Sequence, residues 1–159
     1  MGKLKKILFV CLGNICRSPA AEGIMDSLLK REHYDNRIYC DSAGTYGGHS
    51  GQRADRRMRE HAAMRGYNLT SISRQFVYSD FDEFDMIIAM DDSNISDIKR
   101  VDQSGKYSEK IFKMTDFCTE HSAFEVPDPY YGGYSGFENV IDILEDSSEG
   151  LLEHIKKEL

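Results

Sequence analysis

Apolar positions in this chain follow two alternating spacings. Lys5 to Val10 carries the continuous apolar run Ile7-Leu8-Phe9-Val10, the pattern of a strand buried on both faces. From Ser18 to about Arg31 the spacing becomes helical, with Ala20, Ala21, Ile24, Met25, Leu28 and Leu29 on one stripe. Ser18 is the expected N-cap there, and Pro19 fits the first helical position. Arg37 to Asp41 reads as a second, short strand, and Arg53 to Arg65 as a helix closed by Gly66. Asp85 to Met90 is a third strand, followed by a helix from Asp92 to about Lys99, and Lys110 to Met114 is a fourth strand. Ser135 with Glu138 has the spacing of a capping box, opening a long C-terminal helix with Phe137, Val140, Ile141, Leu144, Leu151 and Ile155 inward. Gly150 interrupts that helix and invites a kink.

Strands separated by helices predict an α/β three-layer sandwich around a four-stranded parallel sheet, doubly wound and flavodoxin-like, with right-handed crossovers. Ligands of such sheets bind at the carboxyl ends of the strands. Cys11 follows the first strand, Ser42 the second and Asp91 the third, and the Asp128 loop comes after the fourth, so all four are expected on one edge. Asp91 also reads as a helix N-cap. No repeat or low-complexity linker divides the sequence, and one domain over residues 1–159 is expected.

The formal net charge of −7 argues against general nucleic-acid binding. Neither a signal peptide nor a segment of membrane-spanning length is evident. The four cysteines, Cys11, Cys16, Cys40 and Cys118, lack zinc-ribbon spacing, the histidines lack metal-ligand spacing, and no nucleotide-binding Gly-x4-Gly-Lys loop exists. No metal or cofactor is expected. An unpaired reactive thiol suits a reducing compartment, so the expected setting is cytoplasmic. A monomer is expected.

The chemistry concentrates in Cys11-Leu12-Gly13-Asn14-Ile15-Cys16-Arg17-Ser18, set between the first strand and a helix start. Backbone N–H groups of such a loop and the helix N-terminus cradle a phosphate, and the same field favours a thiolate at Cys11. Arg17 can grip two phosphate oxygens through its planar fork. A cysteine at a strand end is ordinarily core packing; the loop context makes Cys11 a nucleophile. Asp128, between Pro127 and Pro129, could be a plain Asp-Pro turn, but ester cleavage needs a proton for the leaving oxygen and this carboxyl can supply it. Tyr130 and Tyr131 follow directly, as aromatic walls for a planar ester or as surface tyrosines. The segment Tyr46-Gly47-Gly48-His49-Ser50-Gly51 is by position either a substrate-selecting loop or a passive connector. Arg53, Arg56, Arg57, Arg59 and Arg65 are interleaved with acids and read as a solvated face.

The Cys-x5-Arg-Ser loop resembles that of the low-molecular-weight protein tyrosine phosphatases. The likeness extends through Asp41-Ser42-Ala43-Gly44, Phe84-Asp85-Met86-Ile87-Ile88-Ala89-Met90-Asp91 and Asp128-Pro129-Tyr130-Tyr131-Gly132, in the family's order. The resemblance implies hydrolysis of a phosphotyrosine-containing protein or small aryl phosphate, with inorganic phosphate as product. Cys11, Arg17 and Asp128 would be catalytic, and the loop residues with Tyr46, Tyr130 and Tyr131 would bind substrate. It further implies that Asn14, linked by hydrogen bonds to Ser42, supports the loop, that Ser18 stabilises the thiolate, and that Cys16 forms a reversible disulfide with oxidised Cys11. The family often has a histidine at the position that aligns with Ser71. Two other classes share features. Thioredoxin-linked arsenate reductases have this loop but relay a disulfide through further cysteines, which the 80–100 segment lacks. A non-catalytic phosphotyrosine-binding module would be expected to lose Cys11 or Asp128.

Overall fold

In a computed structural model, which describes residues 4–130 and 133–159, the first apolar run forms β1 (Lys5–Cys11) at the interior of the sheet. β2 (Ile38–Gly44) pairs with it on one side and β3 (Met86–Ala89) on the other. The short β4 (Ile111–Lys113) pairs with β3, so the order is β2-β1-β3-β4 and every pairing is parallel. The continuous apolar run of β1 is divided between two cores by the strand's alternation. Ile7, Phe9 and Cys11 face one cluster, with the helices α1 (Arg17–Arg31) and α5 (Tyr134–Lys156). Leu8 and Val10 face the other, with Phe81, Phe84 and Ile98 from α3 (Asp80–Glu83), its flank and α4 (Asp92–Val101). A strand covered on both faces has no polar alternation to show, and its sequence showed none.

The chain leaves β1 for β2 on one side and later returns for β3 on the other. The crevice at the carboxyl end of β1 is therefore the switch point of the sheet, and Cys11 ends that strand. α2 (Arg56–Met64) is shorter than its expected span. Its N-cap is Asp55, whose carboxylate accepts from the Arg57 and Met58 N–H groups, and Gly66 (φ +88°) supports the reversal after it.

Several local expectations give way to tertiary partners. Ser42 lies within β2, not after it. The N-cap of α1 is Cys16, and Ser18 is already helical, its hydroxyl turned inward. The capping box at Ser135 and Glu138 does not form. Gly133 is the N-cap of α5, and the Glu138 carboxylate instead pairs with Arg65 at 2.8 Å and His61 at 2.5 Å. Gly150 does not interrupt α5: a β-carbon there would stand 1.8 Å from the Phe117 carbonyl oxygen, so glycine permits a close approach of two backbones.

Candidate active site

The loop from Cys11 to Arg17 turns tightly because Asn14 adopts φ 56°, a left-handed conformation that asparagine tolerates better than most residues. Its side chain secures the turn from both ends. The amide Nδ2 donates to Ser18 Oγ at 2.7 Å, and Oδ1 accepts from the Arg74 N–H at 3.0 Å. The Ser73 hydroxyl donates to the Asn14 carbonyl at 2.5 Å. Three other loop carbonyls are held from outside. Thr45 N–H donates to Cys11 O, Tyr46 N–H to Leu12 O and Asp55 N–H to Ile15 O, at 2.7–2.9 Å. Among the described residues, the N–H groups of residues 12–16 have no protein acceptor. The loop thus presents unpaired donors at a helix N-terminus, an anion cradle. Gly44 makes the outer wall possible, since a β-carbon there would lie 2.7 Å from Leu12 O.

Cys11 is 3% exposed, and its Sγ lies 3.0 Å from Ser18 Oγ. Because the Asn14 amide is a donor, Ser18 Oγ accepts there, and its own proton is directed to Cys11 Sγ or, less closely, to Ala43 O at 3.4 Å. That geometry supports negative charge on sulfur. Arg17 is 2% exposed and its Nη1 meets Asp91 Oδ2 at 2.6 Å and Val126 O at 3.1 Å. Burial opposes its charge, but Cys11, Asp91 and Asp128 outweigh burial and raise its pKa. Asp91 is a cap and a site residue together, since its other oxygen accepts from the Asn94 N–H at 2.7 Å.

Asp128 lines the same pocket as Cys11 and Arg17, with Oδ2 3.6 Å from Arg17 Nη2 and Oδ1 accepting from the Tyr130 N–H at 3.0 Å. The pocket opens between these groups, lined by Cys11, Leu12, Gly13, Ile15, Cys16, Arg17, Tyr46, His49, Asp128 and Tyr130. The His49 ring stands 6.1 Å from that of Tyr46 and 6.4 Å from that of Tyr130, so three rings border the mouth. Tyr131 lies outside the described residues.

The structure revises part of the expected site. Ser42 does not bond Asn14; its hydroxyl donates to Glu22 at 2.6 Å. Ser71 makes no hydrogen bond to the loop among the described residues, and Ser73, two positions on, supplies the hydroxyl that holds Asn14. His49 joins the pocket lining from the 46–51 segment, although its side chain alone carries no sequence signal of a site role. Cys16 caps α1 beside Cys11, and burial, then Asp55 and Cys11, push its thiol pKa well up. Burial likewise raises the Cys40 thiol, and raises that of half-buried Cys118 to about 11. Of the arginines in and beside α2, Arg65 pairs with Glu138, Asp142 and Glu145, Arg57 with Asp55, and Arg56 with Glu60, while Arg59 donates to the Ala54 carbonyl at 2.9 Å.

Comparison with known proteins agrees with this geometry. The sequence profile described as low molecular weight phosphotyrosine protein phosphatase matches residues 6–159. A crystal structure of a protein tyrosine phosphatase from Entamoeba histolytica is 52% identical, covering 96% of this chain and 97% of its own, with a TM-score of 0.92. The YfkJ structure from Bacillus subtilis is 37% identical over 99% of this chain and 98% of its own, also with a TM-score of 0.92. A Synechocystis protein, provisionally named a low molecular weight protein-tyrosine-phosphatase, is 50% identical over 97% of this chain and 98% of its own. The chain matches these relatives in sequence and fold over nearly its whole span, and it belongs to the low molecular weight phosphotyrosine protein phosphatase family.

Proposed function

We propose that this chain is a protein-tyrosine phosphatase acting on aryl phosphate monoesters through a phosphocysteine at Cys11. The observation that carries the assignment of roles is the convergence of Cys11 Sγ, the unpaired loop N–H groups, Arg17 and Asp128 on one pocket. Cys11 thiolate attacks phosphorus in line; the S–P bond forms as the bond to the aryl oxygen breaks. The loop N–H groups and Arg17 hold the equatorial oxygens, and Asp128 protonates the departing phenolate oxygen. In the second step the Asp128 carboxylate takes a proton from water, whose oxygen displaces sulfur and releases inorganic phosphate. Ser18 receives the returning thiolate. Tyr46 and Tyr130 flank the aryl ring, which suits phosphotyrosine on a protein or a small aryl phosphate. A nucleophile that works only in its reduced form suits the cytoplasm.

Rapid quenching of the enzyme with an aryl phosphate tests the assignment. Label on Cys11 is expected, and Cys11→Ser should lose turnover while still binding phosphate and vanadate. Turnover surviving in the serine variant would overturn the mechanism.

A further inference from the structure

The phosphate loop and the Asp128 loop are far apart in sequence, and one side chain outside the pocket spans them. Arg57, in the first turn of α2, donates from Nη2 to the Tyr130 carbonyl at 2.9 Å. The same guanidinium lies 3.3 Å from both Asp55 carboxylate oxygens through Nε and Nη2. It packs over two rings, 5.5 Å from the Tyr130 centroid and 4.9 Å from that of Phe137. At one end of this bridge, the Asp55 N–H donates to Ile15 O of the phosphate loop at 2.7 Å. At the other, the Tyr130 N–H donates to Asp128 Oδ1 at 3.0 Å. Ile15, Asp55, Arg57, Tyr130 and Asp128 thus form an unbroken series of polar contacts from the nucleophile's loop to the proton donor.

The acid needs such a hold. Asp128 sits between two prolines that offer no N–H, and its side chain is 40% exposed. Upstream, the loop is fastened at Val126, which donates to Met90 O and accepts from Arg17. Downstream, Arg57 holds the Tyr130 carbonyl. We propose that Arg57 is a positioning residue for proton transfer: by fixing the Tyr130 peptide and ring against α2, it sets the place of Asp128 over Cys11. The inference rests on the reading of Asp128 as the general acid. Lysine would keep the charge, but one compact ammonium cannot serve Asp55 and Tyr130 together while lying flat on two rings.

The test compares phenyl phosphate, whose phenolate needs a proton to leave, with p-nitrophenyl phosphate, whose phenolate leaves unaided. Arg57→Ala and Arg57→Lys are measured in the full chain, alone and with Asp128→Asn. Arg57→Ala is expected to lower kcat/KM for phenyl phosphate about 10–30-fold and for p-nitrophenyl phosphate no more than about 3-fold, with Arg57→Lys recovering little of the loss. In the Asp128→Asn background the same change should cost less than about 2-fold, because the group it positions has gone. Inhibition by inorganic phosphate should stay constant, showing the cradle intact. Equal loss on both esters, a fully multiplicative loss in the double variant, or weakened phosphate binding would overturn the proposal while leaving Asp128 as the acid. Only a leaving-group-independent loss in Asp128→Asn itself would remove both readings. If Arg57→Ala does not fold, Arg57→Lys carries the same comparisons.

Discussion

Arg17 and Asp91 meet at 2.6 Å beneath the phosphate cradle, and the same carboxylate caps α4. The fork of Arg17 is thereby aimed by a residue at the carboxyl end of a neighbouring strand. Its other acidic neighbour, Asp128, stands 3.6 Å from Nη2.

Asp91→Asn retains an oxygen for the cap but removes the charge. We expect kcat/KM for p-nitrophenyl phosphate to fall about 10-fold or more, since a buried arginine left without its partner turns to other acceptors. Asp91→Ala should lose activity similarly but be less stable than the asparagine variant by about 1 kcal/mol, the usual cost of an N-cap. Thermal unfolding beside kinetics checks both, and wild-type activity in Asp91→Asn would refute the aiming role.

Asp128→Asn should discriminate between leaving groups. Esters of basic phenols, phosphotyrosine included, should slow by about 100-fold or more, and p-nitrophenyl phosphate much less. A plot of log kcat against phenol acidity is the readout. A uniform loss would mean that Asp128 only shapes the loop.

Cys16 is expected to protect Cys11. Peroxide converts Cys11 to a sulfenic acid, and the Cys16 thiol can displace water from it to give a disulfide that a thiol reductant reopens. Cys16→Ser should keep most of its turnover yet recover less activity after peroxide and reductant. The comparison fails if both proteins recover equally.

Glu22 predicts a pH dependence of stability. Burial, reinforced by Asp41 and Asp26, raises its pKa from 4.5 to about 7 against the opposing Ser42 hydrogen bond and Arg74. The folded state therefore holds a proton that the unfolded chain releases. The associated stability is complete below about pH 4.5 and is lost as pH rises through about 7. Glutamine can still accept from Ser42 and has no charge to bury. Glu22→Gln should match wild type near pH 4.5 and exceed it at pH 8 by on the order of 2 kcal/mol, several degrees in Tm. A Tm difference that does not vary with pH would refute this.

The sheet and its reactive edge were legible because strands buried on both faces must be continuously apolar, and because the loops after β1 and β4 carry cysteine, arginine and aspartate in a pattern with few other uses. What stayed hidden depends on partners distant in sequence. Glu138 has the spacing of a capping residue, but Arg65 and His61, more than seventy positions earlier, offer it a cation and a ring nitrogen. Ser18 has the identity of an N-cap, but the thiol and Asn14 claim its hydroxyl. Gly150 looks like a helix breaker only until Phe117 is placed against it. His49 borders the pocket through ring contacts with Tyr46 and Tyr130, the latter about eighty positions later.

The outer wall of the phosphate loop is made of peptide groups. Thr45, Tyr46 and Asp55 hold the carbonyls of Cys11, Leu12 and Ile15 with their N–H groups alone. For this task proline is the one residue excluded by chemistry at those positions, since it has no N–H to give. The side chains at 45 and 46 can therefore change while these backbone contacts keep the contour of the loop. Enzymes built this way can exchange the rings around the substrate, and with them the proteins they choose, without recasting the mould that grips phosphate.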